Sequence, residues 1–350
     1  MALDVPTVLA QLSADPILQA IQACLGGGKA LYLVGGYLRD RLLGRPLLER
    51  DIDLAVSGRI RELAESLAHS LGGSVVPLDS RTFRVITVIE GVSWQIDLSR
   101  LKGLSIEADL VARDFTIDAL GFPLEISNLK FQISNLVDPL GGLRDLEEGI
   151  VRMTHPQVLE EDPLRLLRAF RLGAQLGFSI EEKTRLAISE RAPLLSKVAG
   201  ERIKAELFKL LRSPRSASYV ELLDEAGLLR QLLPGFKTMA QAPHLEALQS
   251  LEGLVERLPA LFPRHAPWLL QRLGEEIEAE VDRLGLLKLI TLYRHLEPEV
   301  LRGLLARLRL GKRAKKVATG MADGGWRMAD FQNLNKVDPP ALYRFFREWE

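Results

Sequence analysis

The chain has 350 residues, 46 acidic side chains against 46 basic ones, and a formal net charge of zero. Its 47% hydrophobic and 26% charged content excludes a disordered chain, and the length suffices for two or more domains with their own cores. A single cysteine, Cys24, excludes an internal disulfide framework and fits a reducing, cytoplasmic setting. No apolar run approaches the ~20 residues that span a bilayer. The opening segment carries Asp4 and Asp15 and no basic leader, so a signal peptide is not expected. With balanced bulk charge, any nucleic-acid binding must come from local basic patches.

In chain order, Val- and Ile-rich runs with partial alternation predict strands at residues 30–34, 52–56, 74–77, 83–90 and 93–98. Apolar residues at helical spacing predict a helix over 60–71 that stops at Gly72-Gly73. These elements predict a small domain built on a mixed sheet. After His155 the β signal nearly vanishes, and helices are expected at 164–176, 183–188, 201–211 and 219–229. The leucine-rich remainder, to Leu310, is helical in period, and its stripes are read as core. A near-repeat, Glu125-Ile-Ser-Asn-Leu-Lys and then Gln132-Ile-Ser-Asn-Leu, is read as a surface insertion or hairpin extension.

The chemistry-bearing residues start at Gly35-Gly36, after a predicted strand and before a helical stretch holding Arg39 and Asp40. Glycines there let backbone N–H groups approach a phosphate at a helix N-terminus, although a plain turn has the same signature. In Asp51-Ile-Asp53 the two carboxylates lie on one face of a strand, where they repel unless a cation sits between them. Mg²⁺ suits such oxygen ligands and also takes substrate phosphates, whereas the bland alternative is a solvated strand end. Asp97 ends an apolar run; if its strand neighbours that of Asp51 and Asp53, three carboxylates converge as in two-metal phosphoryl transfer. Arg113 can fork onto a phosphate and Asp114 can accept from ribose hydroxyls. In Glu161-Asp-Pro-Leu-Arg165-Leu-Leu-Arg168, Asp162, Arg165 and Arg168 fall near one helical face, where an acid and a base could read a nucleobase edge. A capping acid with surface ion pairs is the structural alternative.

Together these segments resemble the class II, bacterial-type tRNA CCA-adding enzyme and poly(A) polymerase family of the polymerase β nucleotidyltransferase superfamily. The matching stretches are Leu33-Val-Gly-Gly-Tyr-Leu-Arg-Asp, Asp51-Ile-Asp-Leu, Arg113-Asp-Phe-Thr-Ile-Asp, Asp138-Pro-Leu-Gly-Gly-Leu-Arg-Asp and Glu161-Asp-Pro-Leu-Arg. Glu201-Arg-Ile-Lys-Ala-Glu-Leu is similar to the family's helical neck. The resemblance implies an α+β fold: a polymerase β-like head with a mixed sheet over 1–155, an all-helical neck over 156–236 and a helical body over 237–350. It implies that Gly35, Gly36 and Arg39 hold a triphosphate and that Asp51 and Asp53 bind two Mg²⁺. Asp97 would activate the RNA 3′-hydroxyl, and Arg113 and Asp114 would contact phosphate and ribose. Asp162 and Arg165 would template the incoming C or A, with Glu161 orienting the arginine and Arg168 beside them. The expected reaction is template-independent addition of C, A or both, from CTP and ATP, to a tRNA 3′ end.

The chain departs from the family pattern in three places. Asp118 stands where the family usually has Asn, and Ala112 precedes Arg113 where a second arginine is usual. The segment from Leu98 to Ala112 is also shorter than the flexible loop that complete CCA-adding members carry there, which implies partial addition with C favoured. Farther on, Pro243-His-Leu-Glu is similar to a remnant of an HD phosphohydrolase domain with no metal expected. Lys312, Arg313, Lys315 and Lys316 form the densest basic stretch, a solvated helix end or a contact to RNA phosphates. A poly(A) polymerase acting on general RNA shares the same motifs. A catalytically silent RNA-binding protein would have no use for three mutually repelling acids.

Overall fold

The computed structural model describes residues 3–24, 30–46, 50–124, 136–232, 244–293 and 298–323. The near-repeat falls almost wholly on residues 125–135, outside them. The chain divides into two compact units, Met1–Val158 and Leu159–Glu350. The fold class is α+β, and among the described residues no helix is long and apolar enough to cross a membrane.

In the first unit, α1 (Val5–Ser13) and α2 (Pro16–Ala23) start at side-chain caps. The Asp4 carboxylate accepts from Thr7 N at 3.2 Å and the Asp15 carboxylate from Ile17 N at 3.0 Å. Then come β1 (Leu31–Val34), α3 (Gly35–Leu42), β2 (Asp51–Val56), α4 (Ile60–Ser70), β3 (Ser74–Pro77), β4 (Thr82–Ile89) and β5 (Val92–Arg100). After them follow α5 (Ile106–Val111), β6 (Gly121–Pro123) and α6 (Gly142–Glu148). The six-stranded sheet runs β3-β4-β5-β2-β1-β6; β2 and β5 are parallel and the other neighbours antiparallel. Each predicted strand is present, with ends shifted by a residue or two.

Alternation sorts the two faces of this sheet. Ile52, Leu54, Val56, Val85, Ile96 and Leu98 are at most 1% exposed and form one inner face, with α4 packed on β4 and β5. On the other face, Val34 and Ala55 are buried with Ile106 and Leu110 of α5. That helix covers only one end of the strands. At the other end Asp51 is exposed and Asp53 half-buried beside the start of α3, which leaves room for a site there.

The second unit opens near α7 (Val158–Glu161) and continues through α8 (Arg165–Leu176), α9 (Glu182–Arg191), α10 (Gly200–Leu211), α11 (Ser216–Glu225) and α12 (Leu228–Leu232). The single helix expected over 219–229 is two helices, because Gly227 adopts φ +75° and turns the chain. Beyond lie α13 (His244–Leu261), α14 (Ala266–Gly274), α15 (Arg283–Tyr293), α16 (Pro298–Arg307) and α17 (Lys312–Asp323). The body also holds a small hairpin, Glu276–Glu278 with Val281–Asp282, which the helical periodicity around it concealed.

A buried ionic knot ties this unit together. Lys288 of α15, 1% exposed, donates to Ser213 O at 2.8 Å and to Glu252 Oε1 at 2.8 Å. Glu252 in turn accepts from Ser216 N at 2.8 Å and Ser216 Oγ at 2.7 Å, capping α11 from a distant helix. Burial lowers the Lys288 pKa, opposed by its hydrogen bond to Glu252. Lys288→Met is expected to cost about 3 kcal/mol, because it leaves the Glu252 charge buried without its cation. Chemical denaturation checks this, and a loss below ~1 kcal/mol would contradict it.

Candidate functional site

The site grows from the register of three strands. Asp51 and Asp53 share a face of β2, alternating with the buried Ile52 and Leu54. Parallel pairing of β5 sets Asp97 directly opposite Asp53, and Gln95 opposite Asp51. Antiparallel pairing of β4 then sets Arg84 opposite Asp97. One row across the sheet therefore reads Asp53, Asp97, Arg84. The Arg84 guanidinium grips the Asp97 carboxylate with two parallel bonds, Nε to Oδ1 and Nη2 to Oδ2, both 2.8 Å. The hydrogen bonds to Asp97 are the main cause of a raised Arg84 pKa, and the charges of Asp97, Asp51 and Asp53 add to it.

The glycine turn meets this row. Gly35 opens α3 at φ +73°, and a Cβ there would lie 2.6 Å from Asp53 Oδ2. Only glycine permits that backbone and that approach, so the Asp53 carboxylate lies against the start of α3. Arg39, expected to hold a triphosphate, is 8% exposed and donates to Asp40 at 2.9 Å and to Asp118 at 2.7 Å. It braces the glycine turn from within. Asp118 forms the shorter of the two contacts, and its side chain is 4% exposed.

Arg113 lies just past α5 and donates to Asp109 Oδ2 at 3.1 and 3.2 Å, which holds the guanidinium one helical turn back. Asp114 is buried and caps its own turn by accepting from Phe115 N at 3.0 Å. Thr154 closes over the pair, its N–H donating to Asp114 O at 3.1 Å and its hydroxyl to Arg113 O at 2.5 Å. The Asp138 motif is a support for this turn. Asp138 accepts from Gly142 N and Leu143 N at the start of α6, and Asp145 accepts from the Thr116 hydroxyl at 2.6 Å.

The expected base-reading residues stand in the second unit. Asp162 accepts from Leu164 N at 3.2 Å and from Arg202 at 2.7 Å. Burial pushes the Asp162 carboxyl up, but the hydrogen bonds of Arg202 and Leu164, with the charges of Arg202 and Arg165, bring it below the usual carboxylate range. Arg165 keeps 15% of its side chain exposed and donates to Glu161 at 3.4 Å. Arg168 follows one turn on, half-buried. Arg202 and Arg84 carry no local sequence signal, because each is defined by a partner distant in the chain. Lys312, Arg313 and Lys316 are exposed on α17, and Lys315 is half-buried.

Residues 31–152 match the family described as the poly A polymerase head domain, and residues 177–239 match the probable RNA and SrmB-binding site of polymerase A. The chain is 36% identical over 263 residues to the CC-adding tRNA nucleotidyltransferase of Geobacter sulfurreducens, covering 75% of this chain and 59% of that one. It is 32% identical to the CCA-adding enzyme of Lactiplantibacillus plantarum, covering 77% of this chain and 66% of that one. The CCA-adding enzyme of Thermotoga maritima, solved with tRNA, superposes with a TM-score of 0.69 at 27% identity, over 93% of this chain and 74% of that one. The chain belongs to the bacterial-type, class II family of tRNA nucleotidyltransferases and poly(A) polymerases. It spans about three-fifths of the length of the Geobacter relative.

Nucleotidyltransferases of this kind generally use a divalent metal. Among the described residues, no group of three His, Cys, Asp or Glu side chains is arranged to hold one by itself. The donor set explains why. Both Asp97 oxygens face Arg84, while Asp53 in the same row and Asp51 two residues before it share one face of β2. One or two carboxylates completed by substrate phosphates is the coordination Mg²⁺ favours, so the residues fit the ion.

Proposed function

We propose that this chain adds C nucleotides, and not the terminal A, to the 3′ end of tRNA, from CTP and with Mg²⁺, in the cytoplasm. The observation that carries the reading is the in-register placement of Asp53 beside Asp97, with the Gly35 turn against Asp53. Asp51 and Asp53 would hold the metal, whose chemistry is to neutralise charge on the triphosphate and on the attacking oxygen. Gly35 and Gly36 would offer backbone N–H groups to the phosphates, and Arg113 and Asp114 a phosphate and a ribose contact. Asp97 would take the proton of the RNA 3′-hydroxyl as that oxygen bonds to the α-phosphorus and pyrophosphate leaves. Asp162 and Arg165 would read the base edge, with Glu161 and Arg168 beside them. Lys312, Arg313, Lys315 and Lys316 would contact RNA phosphates.

Restriction to C is supported by the connection between β5 and α5. It is only Leu101–Ser105, pinned where Lys102 N donates to Asp109 at 2.8 Å and Arg81 donates to Leu101 O at 2.9 Å. So short and tethered a segment cannot act as a separate lever that resets the base pocket from C to A. The Geobacter relative bears a CC-adding name. Incubation with tRNA lacking its 3′ CCA and one nucleotide at a time tests the activity, and CTP alone is expected to be incorporated. Long tails from ATP on any RNA would identify a poly(A) polymerase instead.

Arg165→Ala is expected to reduce discrimination between CTP and the other three triphosphates at least about tenfold, with little change in triphosphate affinity, because the site would no longer hydrogen-bond one base edge. Equal loss with all four nucleotides in single-turnover kinetics would make Arg165 a phosphate clamp.

A further inference from the structure

The acidic face of the head sheet contains its own cation. Arg84 lies in the same cross-strand row as Asp53 and Asp97 and occupies both oxygens of Asp97. A carboxylate gripped at both oxygens is poorly placed to take a proton or a metal ion from the same side. We infer that Arg84 is a resident counter-ion of the catalytic carboxylates: it holds Asp97 and neutralises the row before a metal binds, and its grip loosens when Asp97 acts. The inference rests on the carboxylate reading proposed above and adds to it a competition between a side chain and a divalent ion.

Three features separate this pair from a structural ion pair. Its members face solvent, with 32% of the Arg84 side chain and 22% of Asp97 exposed, whereas the Arg39–Asp118 pair keeps 9% and 4%. Arg84 can therefore swing out at little desolvation cost, and Arg39 cannot. Across β4 from Asp97, the register neighbour of Arg84 is Val76, which offers no second acceptor. Along its own strand, Ile86 and Val88 follow on the same face at 37% and 64% exposure, so the space beside the guanidinium is open. The carboxylates of Asp53 in the same row and Asp51 in the next one attract Arg84 as they would attract a metal. Arg84 is thus a positioning residue acting through Asp97.

The test is Mn²⁺ affinity, read from the electron paramagnetic resonance of the unbound ion, with the unreactive α,β-methylene analogue of CTP present. Arg84→Met is expected to bind Mn²⁺ about tenfold more tightly than the unaltered protein, and to melt at a lower temperature in EDTA. The gain in affinity is expected to vanish when Asp97→Asn is added. Arg84→Lys keeps the charge but gives up the fork; it is expected to fall between the two and carries the comparison if methionine unfolds the hairpin. Lower stability with unchanged or weaker Mn²⁺ affinity would overturn the inference and leave a structural ion pair, without touching the assignment of Asp51 and Asp53. Mn²⁺ affinity indifferent to Asp51→Ala would overturn the carboxylate reading, and the role of Arg84 with it.

Discussion

Asp53→Ala is expected to lower nucleotide addition roughly a thousandfold, equivalent to about 4 kcal/mol in the barrier. Asp53 is the one carboxylate that touches both halves of the proposed chemistry. It stands in register beside Asp97, and its Oδ2 lies against Gly35, where the phosphates would be received. Asp51 shares its face two residues away and lies at the exposed start of β2, so Asp51→Ala should be comparably severe. Neither side chain contributes to the apolar core, which runs through Ile52, Leu54 and Val56 on the other face. Both variants should therefore keep the circular dichroism and melting behaviour of the parent. Retention of more than about a tenth of the rate, a change of only ~1.4 kcal/mol, would remove Asp51 and Asp53 from the chemistry.

The head was readable from sequence where burial is two-sided or strictly alternating. The runs at 52–56 and 93–98 became β2 and β5 because Ile52, Leu54 and Val56, and Ile96 and Leu98, fill one face there. β5 extends to Arg100 because backbone pairing with β2 and β4 continues past the last apolar residue, which composition does not report. The helices α1 and α2 carry short stripes and gain their place from Asp15, which accepts from Arg41 at 2.9 Å and from the Tyr37 hydroxyl. The site was legible where its residues are close in sequence, as in Gly35-Gly36 and Asp51-Ile-Asp53. The partners that tune it were not. Arg84 meets Asp97 through register, Arg202 of α10 meets Asp162 just after α7, and Asp118 meets Arg39 from a separate turn. An arginine inside Phe83-Arg-Val-Ile looks like an ordinary strand residue until the pairing of β4 with β5 is known.

The second large effect concerns where synthesis stops. A tRNA lacking its whole CCA should gain two C residues and no A, even with ATP in excess. If Asp162 and Arg165 read the base as proposed, changing from C to A would require their geometry to reset as the RNA end grows, and a reset needs a mobile element. The Leu101–Ser105 connection is anchored at Lys102, and Ser105 caps α5 by accepting from Ala108 N. A pocket without a lever keeps one geometry. On the proposed reading, discrimination against A should persist at every step, so the product should be homogeneous. Lengthening the connection with a flexible segment should leave the two C additions intact, since no proposed ligand lies within it.

The most direct measurement is the intact mass of the tRNA product after incubation with CTP and ATP together. The expected product is the starting RNA plus two cytidylates, with no species one adenylate heavier at any time point. Quantitative conversion to a complete CCA end by this protein alone would contradict the account.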